Sequence, residues 1–259
     1  MLPIDDLNTE SQGELTMKKF LLGGAVAAAL ALGGPALAAD MPVKAAPVIS
    51  PVVTWSGFYF GGSIGAAWMK PDAFFVPATV TTSAAFPTDT SWIGGLHTGY
   101  NWQFGHIVLG TETNYLFTDL NSSIICPTVV LTCTTRVQNI FMTGGRLGFA
   151  WNNLLLYGAG GYSRTQWEQL SRVTLTGLPN ESAQSWHDGW YAGGGVEWAF
   201  TPSIWLGVDY THVEVNRRLD IGIPATVPSS DRSQGGTIDM VRAKISFKLW
   251  EGMFGPFSR

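Results

Sequence analysis

From Trp55 onward apolar and polar residues alternate with period two, in bursts that end at short breaks. Period two is the mark of a strand, whose successive side chains point to opposite faces. Residues 195–212, GVEWAFTPSIWLGVDYTH, hold two such bursts around Thr201-Pro202-Ser203. Trp198, Phe200, Trp205 and Tyr210 crowd that break, and Glu197 and Asp209 lie within the bursts. Related units come earlier: GYNW at 99–102 before Gly105-His106, and GFAW at 148–151 before Asn152-Asn153. With GVEW at 195–198 they make three copies of Gly-apolar-x-Trp, each followed by a tight turn and another alternating run. This is an internal repeat of hairpins.

Eight runs can be counted, about 55–69, 91–104, 107–117, 136–151, 154–165, 189–200, 204–214 and 237–250. Segments rich in Thr, Ser, Pro and Asn near 70–90, 118–135, 166–188 and 215–236 are expected as long loops. An even count of runs, each at or above the ~9–11 residues a tilted strand needs to cross a bilayer, predicts an all-β fold. The expected form is an eight-stranded antiparallel up-and-down transmembrane β-barrel with short periplasmic turns and long extracellular loops.

The two faces differ in kind. In the third run Ile107, Leu109, Thr111, Thr113, Tyr115 and Phe117 oppose Gly110, Glu112 and Asn114. In the fourth, Phe141, Leu147, Phe149 and Trp151 oppose Gln138, Gly144, Arg146 and Gly148. In the eighth, Val241, Ala243, Ile245, Phe247 and Leu249 oppose Arg242, Lys244, Ser246 and Lys248. The fifth run, LLLYGAGGYSRT, is too rich in Leu and Gly to phase. Lipid supplies no hydrogen bonds, so a spanning sheet must close on itself, with aromatics outward and acids inward. Trp102, Trp151 and Trp198 are then expected to ring the bilayer surface at the tight-turn end, and Trp68, Trp92, Phe117 and Trp190 the other surface. The inward set comprises Glu112, Arg146, Glu197, Asp209, Arg242, Lys244 and Lys248. Eight strands enclose room for little beyond their own side chains. These charges are therefore expected to pair as a salt-bridged plug; the alternative is an ion or solute path.

Composition fits that picture. Only 13% of residues are charged, against ~25% in an ordinary soluble domain. Mean hydropathy is +0.14, with 31 Gly and 11 Trp. The net charge of −4 offers no basic field for nucleic acid. Met17-Lys18-Lys19, the apolar run from Phe20 to Leu32 and Ala36-Leu37-Ala38 read as a signal peptide over 17–38. Residues 1–16 carry four acids and are expected to be a start-site artefact, with Met17 the true start. No later stretch reaches the ~18 apolar residues of a spanning helix. Residues 39–54 form a Pro-rich periplasmic arm, 55–250 the barrel and 251–259 a C-terminal tail.

Other signals are weaker. Cys126 and Cys133 in CPTVVLTC are expected to form a disulfide after export, free thiols being the alternative. No metal site and no cofactor are expected, since no second cysteine pair or nearby histidine completes a ligand set. Gly61-Gly62-Ser63-Ile64-Gly65 matches a nucleophile-elbow pattern, but within an alternating strand it is a coincidence. His97 is expected in the lumen, His106 in a tight turn and His187 in a long loop, with His212 elsewhere. No His/Ser/acid set stands out at one rim, so the chain is not expected to be an enzyme.

Taken together, the chain resembles the small eight-stranded outer-membrane proteins abundant in alphaproteobacteria, often called porin-like and related in fold to the OmpA membrane domain. The resemblance rests on the leader ending AAD, the Pro-rich arm and TWSGFYFGGSIGAAW (54–68). It rests also on GYNWQFGHIVLGTETNY (99–115), GGRLGFAWNNLLLYGAGGYSR (144–164) and VRAKISFKL (241–249). It implies a structural protein of the Gram-negative outer membrane that stabilises the envelope and presents loops to hosts, phages or antibodies. Its partners would be outer-membrane lipid and the barrel-assembly machinery. Some relatives are described as porins or haem binders, so a narrow diffusion pore and a loop-mediated haem receptor are the alternatives. Family members usually close on an aromatic, commonly Phe; here Leu249 holds that phase and EGMFGPFSR follows Trp250. A peptidoglycan-binding module is not expected after the barrel.

Overall fold

The computed structural model describes residues 53–75, 83–126, 131–220 and 232–250. The leader, residues 1–16, most of the arm and the tail lie outside the described residues. Among those described, nine strands form one antiparallel sheet: β1 (Gly57–Phe75), β2 (Ser83–Ala85), β3 (Asp89–Phe104), β4 (Ile107–Ile125), β5 (Leu131–Trp151), β6 (Leu154–Val173), β7 (Pro179–Thr201), β8 (Ile204–Asp220) and β9 (Arg232–Trp250). Eight are long; β2 is three residues paired with Asp72–Phe74 of β1. Each long strand pairs with the next, and β1 pairs with β9 from Phe58↔Trp250 to Phe75↔Arg232. The result is a closed eight-stranded up-and-down barrel.

The long strands run 16 to 23 residues, well past the sequence-based bounds. Much of what the sequence suggested as loop at 118–135 and 166–188 is strand. β4 and β5 are joined across 126–130, and β6 and β7 across 174–178. The cause is polarity on both faces. Ser122 and Thr135 are buried inside, while Ser123 and Thr134 hydrogen-bond to each other outside at 2.7 Å. Hydropathic alternation disappears there, yet the pleat and its ladder continue.

A second departure lies in β5. Val137 pairs with Trp167 and Asn139 with Gln166, so Gln138 is an extra residue in the ladder. Inward phase is even below it (Met142, Arg146) and odd above it (Val137, Thr135). Gln138 therefore does not share the inward face of Gly144 and Arg146 in the simple way that counting by twos suggested. β6, which resisted phasing, turns Leu155, Tyr157, Ser163 and Thr165 inward and Leu154, Leu156 and Tyr162 outward.

Outside, Trp92, Trp102, Trp151, Trp190 and Trp198 are exposed, and Trp68 lies half-buried on the same outward phase against Tyr210. Trp205 is the exception among the aromatics around Pro202. It points inward, fully buried, with its ring 4.9 Å from Trp55 and 5.5 Å from Tyr59. Its position follows from phase, since Asp209 four residues on is also inward.

The interior is layered rather than charged throughout. At the tight-turn end Trp55, Val108, Ala150, Leu155 and Trp205 pack together. Beyond the charged residues comes a larger apolar cluster that includes Met69, Ile93, Leu116, Ile140, Met142 and Trp167. Near the loop end Ala73, Phe86, Leu131 and the two cysteines form a third. Glycines on the inward face make the large side chains fit. A Cβ on Gly144 would stand 2.7 Å from the Tyr191 hydroxyl, and one on Gly148 would stand 2.7 Å from Leu155.

If the outer wall faces lipid, Ile245→Arg, midway along the apolar wall of β9, should cost about 2–4 kcal/mol. A urea refolding titration in lipid measures this, and an unchanged midpoint would contradict the assigned facing.

Candidate functional site

Six of the seven inward charges meet in one layer. Strand phase brings them inward, and antiparallel register sets their height: Glu112 is on β4, Arg146 on β5, Glu197 on β7, Asp209 on β8, and Arg242 and Lys244 on β9. Arg146 bridges two carboxylates, with Nη1 3.0 Å from Glu112 Oε2 and Nη2 2.7 Å from Glu197 Oε2. Arg242 grips Asp209 in a fork, Nε to Oδ1 at 2.9 Å and Nη2 to Oδ2 at 2.8 Å. Lys244 donates to Glu112 Oε1 at 2.7 Å and lies 3.6 Å from Asp209 Oδ2. Three carboxylates thus face three cations, and all six side chains are buried.

Neutral groups complete the layer. The Tyr59 hydroxyl donates to Glu112 at 2.9 Å and accepts from Arg146 at 2.9 Å. Asn114 donates to Glu112 at 3.1 Å, and its oxygen accepts from Arg242 at 3.1 Å. The Arg146 guanidinium carbon stands 4.2 Å from the Tyr157 ring centre. Charges taken out of water are costly unless every partner is supplied, and here nearly every one is. Such a layer can hold strands together, but it presents no free nucleophile.

Lys248 does not join the layer. It shares the inward phase, but four residues along a strand is about 13 Å of height. Its amine instead donates to the Thr54 carbonyl at 2.9 Å, tying the segment before β1 to the barrel end. Sequence reasoning missed Tyr59, Asn114 and Tyr157 as members. Asn114 was visible, two residues past Glu112, whereas Tyr157 sat in the unphased strand.

A His/Ser/acid set does come together at the loop end, contrary to the sequence-based expectation. His187 is on β7, not in a loop, and Asp220 is the last residue of β8. Ser185 Oγ donates to Asp220 Oδ1 at 2.6 Å; His187 Nε2 lies 2.9 Å from Ser185 Oγ and 3.0 Å from Asp220 Oδ2. A hydrolytic relay needs the acid on one ring nitrogen and the serine on the other. Here both face Nε2, and Nδ1 faces the Asn216 carbonyl at 3.4 Å. The set is a hydrogen-bonded knot packed on Trp167, not a hydrolytic site. Burial pushes the Asp220 carboxyl up, but hydrogen bonds from His187 and Ser185 outweigh it and hold the group below the ordinary carboxylate range.

Cys126 and Cys133 are disulfide-bonded, with Cα atoms 5.4 Å apart, at the tip of the β4–β5 hairpin. Ser63 of the elbow-like motif lies within β1 and faces inward. No group of three or more metal-ligating side chains is placed to hold an ion among the described residues.

Comparison with known proteins follows the same line. Residues 24–237 match the family model described as outer membrane protein beta-barrel domain. The 31 kDa outer-membrane immunogenic protein of Brucella melitensis is 29% identical over 200 residues, covering 71% of this chain and 82% of that one. The 22 kDa outer membrane protein of Rhizobium leguminosarum is 28% identical over 197 residues, covering 71% and 74%. Among solved structures, the outer membrane protein OprG of Pseudomonas aeruginosa aligns at TM-score 0.46 and 10% identity, covering 76% of this chain and 100% of that one.

Arg146→Ala leaves two buried carboxylates short of a partner and should destabilise the barrel by about 3–5 kcal/mol, read by urea titration. Asp220 supplies a pH test. Its carboxyl is held low in the fold, so its contribution is fully present above the unfolded value of about 3.9. That contribution should disappear as pH falls through the lower folded value. Asp220→Asn should therefore be less stable than wild type at pH 7, with the gap closing only in strong acid; a gap that closes near pH 6 would contradict the assignment.

Proposed function

The chain belongs to the outer-membrane β-barrel family, and from that premise we propose that it is a structural and surface-presenting barrel whose lumen is closed. It resides in the outer membrane of a Gram-negative bacterium, as its named relatives do. The observation that carries the closed-lumen reading is the layering of the interior. A charge-neutral layer in which nearly every group is partnered lies between apolar clusters above and below it, and Trp55 fills the tight-turn end. An ion path would need a continuous polar lining, and the cluster of Met69, Ile93, Leu116 and Met240 interrupts one.

Orientation follows from the same premise. Tight turns at Gly105, Asn152 and Pro202 face the periplasm, and Trp102, Trp151 and Trp198 mark the inner boundary of the bilayer. Trp68, Trp92 and Trp190 mark the outer one. Beyond them the strand extensions stand clear of the membrane as a rigid turret, its β4–β5 tip locked by Cys126–Cys133. Export uses residues 17–38 as leader, and insertion relies on the barrel-assembly machinery. Enzymatic activity is not part of this reading. A haem-receptor role finds no support in His187, whose Nε2 is occupied by Ser185 and Asp220.

Refolded residues 39–259 in a planar bilayer should give no discrete openings, and Arg146→Glu should lower stability without creating selectivity. Single-channel recording checks this. Steady openings in the folded wild type, with selectivity altered by that substitution, would replace the closed barrel with a pore.

A further inference from the structure

On the outer wall above the upper aromatic row, β8 and β9 fall out of step. Val215 pairs with Gly236 and the next pair is Arg218 with Gln234, so Asn216 and Arg217 together oppose Gly235. Two residues against one is a β-bulge, which re-aims the side chains it carries. Arg217 is turned across β9. Its stem lies over Gly235, where a Cβ would stand 2.8 Å from Arg217 Cγ. Its guanidinium ends over β1, ion-paired with Asp72 and 4.3 Å from the Phe74 ring centre. Gly236, at φ 148°, adopts a conformation that other residues rarely take and lets β1 approach closely.

Arg217 is thus a strap over two strands, and beside it lies a cleft of about 400 Å³. Lys70, Thr237 and Glu214 line it as direct cross-strand partners on β1, β9 and β8. The Lys70 and Glu214 backbones are two strand spacings apart, about 9.6 Å. Glu214 leans instead toward His212, at 3.7 Å. One row below, His212 Nδ1 and the Tyr210 hydroxyl both meet Asp239 Oδ1, at 2.7 and 2.6 Å, with Trp68 beside Tyr210. The cleft therefore opens where the apolar wall gives way to water.

We propose that this cleft on β1, β8 and β9 binds the phosphorylated sugar headgroup of an outer-leaflet glycolipid. Phosphate oxygens accept from the Lys70 amine and the open edge of Arg217. Sugar hydroxyls donate to Glu214 and exchange hydrogen bonds with Asn216 and Thr237. The carboxylates select the class of ligand. A bare phosphate would meet Glu214 and Asp72 as like charges, whereas a sugar phosphate brings donors for the acids and acceptors for the cations. Height selects the source, because the Trp68–Tyr210 row places the cleft at the headgroup boundary. The inference rests on the reading of the chain as an outer-membrane barrel with its loop end outward.

The test uses residues 39–259 folded into phosphatidylcholine nanodiscs doped with lipopolysaccharide, the retained glycolipid being counted by native mass spectrometry. Lys70→Glu should lower retention about tenfold and Lys70→Arg should preserve it, both variants showing the heat-modifiable folded band. Equal retention by Lys70→Glu and wild type overturns the proposal, as does no retention by wild type. Equal occupancy by a lipid-free sugar phosphate overturns the lipid source. A wild-type chain that never shows the folded band overturns the membrane reading and the cleft with it.

Discussion

A backbone in lipid has no outside partner for its hydrogen bonds, and the pairing of β1 with β9 is what meets that constraint. With it, every long strand has a neighbour on both sides and no edge remains. The positions of the irregularities follow from the same constraint. Register shifts fall at Phe58/Tyr59 and Ala199/Thr201 near the tight turns, and at Phe117/Leu120, Val137/Asn139, Ser171/Arg172 and Val215/Arg218 toward the loop end. Between them, through the apolar belt, the ladders run unbroken. A bulge leaves a backbone group unpaired, which costs several kcal/mol in hydrocarbon and little in water. Irregular backbone is therefore confined to the ends, and the one bulge that builds a cleft, at Arg217, lies just beyond the belt.

Closure at eight strands also fixes the width of the interior. Side chains must fill it without overfilling it, and the chain meets this by pairing large residues with glycines. Tyr191 has Gly144 beneath its hydroxyl, and Leu155 has Gly148. Glycines such as these are therefore wall positions whose missing side chains admit aromatic and charged ones. Burying six charges becomes tolerable for the same reason. The space is just wide enough for Arg146 and Arg242 to reach their carboxylates in forked geometry, and too narrow to leave a charge unpaired.

Strand count, order, closure and most of the charged layer were legible in the sequence, because period two survives wherever one face meets lipid. Glu112, Arg146 and Arg242 could be placed from phase alone. Past the belt, lipid no longer enforces a contrast between faces, so the extensions of β4 to β8 read as loop. His187 and Asp220 were invisible as partners for that reason, lying on strands that had not been seen to reach so far. Lys248 was misplaced because phase gives a face but not a height. Trp205 was misread because the aromatics around the Pro202 break were all expected to face outward, although its phase with Asp209 already turned it inward.

The single charged layer between apolar ones also bears on which barrel the chain forms. Slipping β9 by two residues restores every side chain to its original face, so apolar contacts such as those of Met240 and Ile238 would find acceptable substitutes. The charged contacts would not. Arg242 forks Asp209 on neighbouring β8 and reaches Asn114 on β4 across the lumen, while Lys244 crosses the lumen to Glu112. A two-residue slip puts Lys244 opposite Asp209, where an ammonium cannot reproduce the fork, and leaves Arg242 opposite Thr211. The cost is that of uncompensated buried charge, several kcal/mol. Apolar layers thus supply much of the packing, and the charged layer specifies the one register in which the strand that closes the barrel can settle.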